Sequence, residues 1–192
     1  MATQAPGQLE LVRRFVNTWD GEGPVERLPD PDALRDWLVE HELMAHDGAV
    51  STAELGRART LRDALRAQLR AHHGGAVDPA AAAIVDAAAG RARLQARFGA
   101  DDAVRLEAAA EGVDGILGGL LAIVADAMRD GTWARLKVCP AEDCQYAFYD
   151  TSRNRSGVWC TMGVCGNRAK VRSYREREGA AARSRRARSG EH

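Results

Sequence analysis

Residues 139–168 read CPAEDCQYAFYDTSRNRSGVWCTMGVCGNR. They hold all four cysteines of the chain, as Cys139-x4-Cys144 and Cys160-x4-Cys165, with fifteen residues between the pairs. One short knuckle offers two sulfurs to the same side of an ion, and a second knuckle closes the tetrahedron. Structural zinc takes four such ligands and favours thiolate. The x4 spacing departs from the commoner x2. Two disulfides would need an oxidising compartment, and the opening Met1-Ala2-Thr3-Gln4-Ala5-Pro6-Gly7 is polar, unlike a secretory leader. An iron–sulfur cluster is chemically open, but the gap fits none of the usual ferredoxin spacings. Free or redox thiols complete the alternatives. The expectation is Zn2+ on Cys139, Cys144, Cys160 and Cys165, in a cytoplasmic protein without a membrane span.

Charge changes sign on either side of residue 150. Residues 151–192 carry eleven Arg and Lys against three Glu, whereas residues 1–150 carry sixteen against twenty-four Asp and Glu, so the net charge of zero hides a basic end on an acidic body. A chain of 192 residues, 45% apolar, is long enough for one medium domain and a small appended one.

Before the first knuckle the pattern is mostly helical. Leu9 to Trp19 is a short apolar-rich stretch. Asp30-Pro31 is a cap followed by proline at the first helical position, and Ser51-x-x-Glu54 is a capping box. Leu55, Ala58, Leu61, Leu65 and Leu69 form a stripe behind it. Arg57, Arg59, Arg62, Arg66 and Arg70 lie mostly off that stripe and read as a solvated helix face. His41, His46, His72 and His73 have no partner at metal-binding spacing and read as surface or cap residues. Asp78-Pro79 opens an alanine-rich helix expected to run to about Phe98. Val104, Leu106 and Ala108 suggest a strand, and Val113–Met128 a helix whose Gly115-x-x-x-Gly119 allows close packing. Arg135–Val138 is extended. The fold class expected is mainly α with a small β component, with domains at 1–131 and 132–180 and a disordered basic tail at 181–192.

Between the knuckles, Tyr146, Phe148 and Tyr149 suit a strand, Arg153–Gly157 a turn, and Val158-Trp159 a returning strand. Knuckle, hairpin and helix in that order are treble-clef-like. If a helix starts near Gly163, Arg168, Arg172 and Arg175 share one side. Val164, Val171 and Tyr174 form an adjacent apolar stripe able to dock on the finger. Lys170 points elsewhere, towards flanking phosphates, and Arg153 and Arg155 could clamp a backbone from the turn. Asn167 caps the helix or reads an adenine.

Phe148-Tyr149-Asp150-Thr151-Ser152-Arg153-Asn154, Trp159-Cys160-Thr161-Met162 and Cys165-Gly166-Asn167-Arg168-Ala169-Lys170-Val171-Arg172 resemble the CGNR zinc finger. Phe15-Val16-Asn17-Thr18 and the strand-plus-helix at 103–131 resemble the ABATE domain that usually precedes it, a family associated with stress-induced transcription regulation. The resemblance implies a zinc-dependent, DNA-binding regulator whose N-terminal part senses a small-molecule effector or forms a homodimer. Asn17 and Thr18 are candidate polar anchors for that effector; the alternative is that they end a helix through local side-chain bonds. A protein-interaction module, a thiol redox sensor and an RNA binder are the competing readings. No nucleophile–base pair, P-loop or paired-carboxylate motif stands out, so no enzyme is expected.

Overall fold

The computed structural model describes residues 4–20, 25–100 and 102–189. Its helices start where side chains can take up the free N–H groups of a first turn. Asp30 accepts from Ala33 N at 2.8 Å and Pro31 opens helix α2, Pro31–Glu40. Ser51 and Glu54 cap each other at the start of α3, Thr52–Ala71. Asp78 caps α4, Pro79–Ala92. The chain begins with α1, Leu9–Val16, followed by a two-residue ladder of β1, Trp19–Asp20, with β2, Val25–Glu26.

The alanine-rich helix does not reach Phe98. It stops at Ala92, Arg93 takes a left-handed conformation (φ 51°), and β3, Leu94–Phe98, pairs antiparallel with β4, Val104–Ala108. Leu94, Ala96 and Phe98 alternate with Gln95 and Arg97, a two-residue period that decides for strand over helix. Helix α5, Gly112–Asp130, then crosses the body and ends on Gly131 at φ 79°. Its point of closest approach is Gly118, where a Cβ would lie 2.5 Å from that of Ala92 and 2.8 Å from that of Ala108. Of the expected pair, Gly119 faces open space and Gly115 abuts only the Ala110 carbonyl next to its own helix.

The core gathers Val12, Phe15 and Val16 of α1, Leu34 and Leu38 of α2, the α3 stripe, and Leu117, Leu120 and Val124 of α5. Each fully buried Leu contributes roughly 1.5–3 kcal/mol. This core does not end with α5. A single 3-10 turn, Trp133–Arg135, leads to β5, Leu136–Val138, which pairs antiparallel with β6, Ala147–Tyr149. Trp133, Leu136, Val138 and Ala147 belong to the same buried cluster as α1, α3 and α5. The end of α5 is thus a boundary in the chain but not a boundary in the core.

The arginines of α3 correct the sequence reading. Arg62 and Arg66 are 2% and 3% exposed. Arg62 makes a two-pronged pair with Glu26 at 2.6 and 2.9 Å, and Arg57 does the same to Asp114 at 2.9 and 3.1 Å. Arg59 donates to the Leu28 carbonyl. They bind α3 to β2, α5 and the Val16–Trp19 segment instead of facing water. The last helix, α6, Asn167–Ser189, continues through residue 181, where a tail was expected to begin.

Candidate metal centre

The hairpin β5–β6 presents the first knuckle. Cys139 N donates to Tyr146 O at 2.9 Å, and the turn closes with Cys144 N and Gln145 N on the Ala141 carbonyl at 3.0 and 3.1 Å. The second pair arrives by another route. Val158 and Trp159 form no strand; β6 pairs backwards with β5, and a loop carries the chain from Asp150 to Cys160. Cys165 sits in a wide turn, Met162–Gly166, that runs directly into α6.

The four sulfurs lie within 4.8 Å of one another. Cys144 Sγ is 3.5 Å from Cys160 Sγ, which is 3.6 Å from Cys165 Sγ. A tetrahedral ion with metal–sulfur bonds of about 2.3 Å needs sulfurs about 3.8 Å apart, so the geometry fits. Cys139, Cys144 and Cys165 are buried, with Ala141, Tyr146 and Trp159 packed around them. Four thiols this close cannot all ionise without a cation. A hydrogen bond from Cys160 pulls Cys139 down to about 5. Burial pushes Cys144 up to about 12, and the bond to Cys139 drives Cys160 upward as well. A dication removes that conflict by accepting all four as thiolates.

A buried pair that sequence reasoning missed holds the loop between the knuckles. Lys137 and Asp150 are each 3% exposed, and Lys137 Nζ donates to Asp150 Oδ2 at 2.8 Å and to the carbonyls of Arg155 and Gly157 at 2.6 and 3.1 Å. Asp150 also accepts from Ser152 N at 2.9 Å and Gly157 N at 2.8 Å. Burial alone would raise the Asp150 pKa, but the Lys137 ammonium and these donors hold it well below the usual carboxylate range. A side chain at Gly157 would place its Cβ 2.6 Å from Asp150 Oδ1, so the loop folds this tightly only with glycine there. The available signal was an Asp followed by Thr-Ser, a turn-forming combination, seven residues before a glycine.

Body and hairpin are joined through polar groups at both outer edges. In the ladder the N–H and C=O groups of Leu136, Val138 and Ala147 point away from the partner strand. His72 Nδ1 and His73 Nε2 donate to the Leu136 and Val138 carbonyls at 2.6 and 2.7 Å. Asn17 donates to the Ala147 carbonyl at 2.9 Å and accepts from its N–H at 2.8 Å. Arg13 adds bonds to the Ala147 carbonyl and to Tyr146 Oη at 3.3 and 3.4 Å. His72 is the half-buried C-cap of α3 and His73 is exposed, as cap and surface residues, and both also bond across the seam. Burial first, and the neighbouring charges of His73 and Lys137, depress the His72 pKa despite its bond to Leu136.

The other expected site residues fall in three places. Asn17 and Thr18 do line an open cleft of about 610 Å3 with Glu10, Trp37, His41 and Tyr146. Asn17 is nevertheless occupied by Ala147, and Thr18 donates to Phe15 O at 2.8 Å. Arg153 and Arg155 are exposed on the loop. Lys170, Arg172 and Arg175 are exposed on α6, whereas Arg168 pairs with Asp143 at 2.9 Å and donates to Cys165 Sγ at 3.5 Å. Arg168 thereby ties α6 to both knuckles. Asn167 is not an N-cap; it donates to the Gly163 carbonyl one turn back at 3.1 Å. Val164, Val171 and Tyr174 do not dock on the finger and stay about half exposed, at 51%, 50% and 56%.

Among the described residues, no helix is long and apolar enough to cross a membrane. Comparison with curated proteins finds no match. Two family models do match. The CGNR zinc finger covers residues 135–178. ABATE, described as "Putative stress-induced transcription regulator", covers residues 9–130. The second spans well over half of the 192 residues, and the chain belongs to the ABATE family, with a CGNR zinc finger following its α-helical body.

Proposed function

We propose that the protein is a zinc-dependent, DNA-binding transcription regulator without catalytic activity. The observation that carries this reading is α6. It starts at Asn167, two residues after the ligand Cys165, and among the described residues no other element covers it from Arg168 to Glu178 except at its base. It presents Lys170, Arg172 and Arg175 to solvent on an otherwise acidic protein. An uncovered helix of this kind fits the major groove, where Arg and Lys reach phosphates and guanine edges. Zinc suits four thiolates in tetrahedral array, and four protein ligands leave it no position for a substrate. The charge distribution and the ABATE match support regulation as the purpose. Arg168, pinned to Asp143, serves in this reading to aim α6. Arg153 and Arg155 approach flanking phosphates from the loop.

A second reading has its own support. The half-exposed stripe of Val164, Val171 and Tyr174 on the same helix suits a protein partner. Binding of the zinc-loaded chain to mixed duplex DNA, measured by fluorescence anisotropy over a range of salt, separates the two. DNA binding predicts an affinity that falls by about 0.9 log unit per log unit of salt for each phosphate contact. It also predicts loss of binding when Lys170, Arg172 and Arg175 are together replaced by Ala. Affinity indifferent to salt, or unchanged in that variant, hands α6 to the protein-interaction reading.

A further inference from the structure

Four arginines at one end of the body face only two carboxylates among the described residues. Arg59, Arg62, Arg66 and Arg70 line a cavity of about 440 Å3 with Trp19 and Gln145. The carboxylates in its wall are Glu26 and Asp63. Arg62 takes both, with Glu26 on its two terminal nitrogens and Asp63 on Nε at 3.0 Å. Arg59 is 3.8 Å from Glu26.

Among the described residues, Arg66 and Arg70 form no ion pair. Arg66 donates to three backbone carbonyls, those of Val16, Trp19 at 3.0 Å and Gln145 at 3.1 Å. Its Nε is buried without any partner. Arg70, exposed at the mouth, donates to the side-chain oxygen of Gln145. A buried guanidinium held only by neutral acceptors is costly. Burial, then repulsion from Arg62, brings Arg66 down to about 10. Its guanidinium also lies over the Trp19 ring, 4.6 Å from the centroid, which marks the cavity floor.

We infer that this cavity is a binding site for a phosphate-type oxyanion, held between Arg66 and Arg70. The two side chains sit one helical turn apart on the same face. Arginine forks match phosphate oxygens two at a time. The anion supplies a charge partner that Arg66 and Arg70 lack among the described residues, and Arg70 leaves the entrance open to solvent. Both arginines now spend N–H groups on Gln145, the residue after the metal ligand Cys144. An oxyanion therefore competes with the first knuckle for its supports.

The test is calorimetric titration of inorganic phosphate into the zinc-loaded full chain in chloride buffer, with the Trp19 indole resonance followed in parallel. Saturable one-to-one binding that shifts the Trp19 signal is expected. Arg70→Ala should weaken it by about tenfold or more, since a charge-assisted bond is lost. Arg70 is exposed, so the variant should keep its thermal unfolding; Arg66→Lys, which keeps the charge but not the fork, should weaken binding too. A short duplex added to the phosphate-loaded chain distinguishes the source. A Trp19 signal that persists assigns the site to a free phosphate compound, and one displaced in proportion to duplex assigns it to a DNA backbone phosphate. Absence of saturation at millimolar phosphate, or equal affinity in wild type and both variants, overturns the inference.

Discussion

The two halves of the zinc finger have opposite relations to the rest of the molecule. The hairpin β5–β6 puts Leu136, Val138 and Ala147 into the core of the body and has its outer edges bonded to α1 and α3. Among the described side chains, helix α6 contributes none to that core and is exposed from Arg168 to Glu178 apart from Ala169. The same four sulfurs hold both. A single ion on them would therefore have two different tasks. On the hairpin it would add to a fold already supported by packing. On the helix it would supply most of the attachment, since the other described tether is Arg168 on Asp143 and Cys165. A small module usually depends on its metal for the whole of its fold; here only the half proposed to meet DNA should depend on it so strongly.

Breaking the metal site tests that asymmetry most severely. Chelation, or Cys160→Ser with Cys165→Ser, should abolish high-affinity DNA binding while the main thermal transition of the body survives. Structural zinc binding is worth on the order of 10 kcal/mol in isolated fingers. Hydrogen exchange should show protection retained in β5 and β6 and lost in the second knuckle. Equal loss of protection in both halves would erase the distinction. Lys137→Met comes next. It leaves Asp150 buried and unpaired, and denaturant unfolding should show a loss of about 3–5 kcal/mol. The double change with Asp150→Asn should recover part of it.

Asn17→Ala sharpens the comparison from the body side. It strips partners from the Ala147 N–H and C=O and should cost about 2 kcal/mol. Metal affinity should fall less than in the Lys137 variant, because Asn17 bonds only the outer edge of β6 whereas Lys137 holds the loop that carries the chain to Cys160. The smallest effect is from pH. The folded-state pKa of His72 is depressed, so its neutral form suits the seam. Its contribution is complete above the unfolded value of about 6.5 and is lost as pH falls through the lower folded value. Stability of the zinc-free chain measured between pH 8 and 5 should decline, and His72→Gln should flatten the decline. A stability that rises on acidification over this range would show the sign to be wrong.

Local chemistry was the readable part of this sequence. The caps at Asp30, Ser51 and Asp78 and the α3 stripe act through groups within a few residues, and a four-cysteine set is conspicuous wherever it occurs. The misread elements depend on distant partners. Arg62 looked solvated because its counter-ion, Glu26, lies 36 residues away. His72 and His73 are the helix-end residues they looked like, but their bonds to β5 were hidden because those carbonyls lie more than 60 residues on. Leu94–Phe98 had the alternation of a strand, but a preceding run of alanines extended the helical reading over it. The Val158-Trp159 strand was expected from hairpin logic, and β5, already in place upstream, takes that role. Val164, Val171 and Tyr174 followed a helical period that the structure leaves without a covering surface.

The sealed edges of the β5–β6 hairpin bear on how the protein survives loss of its metal. A two-stranded sheet with free edges is a template for pairing with other chains. Here the outward carbonyls of Leu136 and Val138 are closed by imidazoles, and the outward face of Ala147 is closed by an amide that imitates a neighbouring strand. None of these closures uses a cysteine. Loss of the ion by oxidation or chelation should therefore leave these edge bonds in place, and the hairpin should offer fewer bare backbone groups than a free two-stranded sheet.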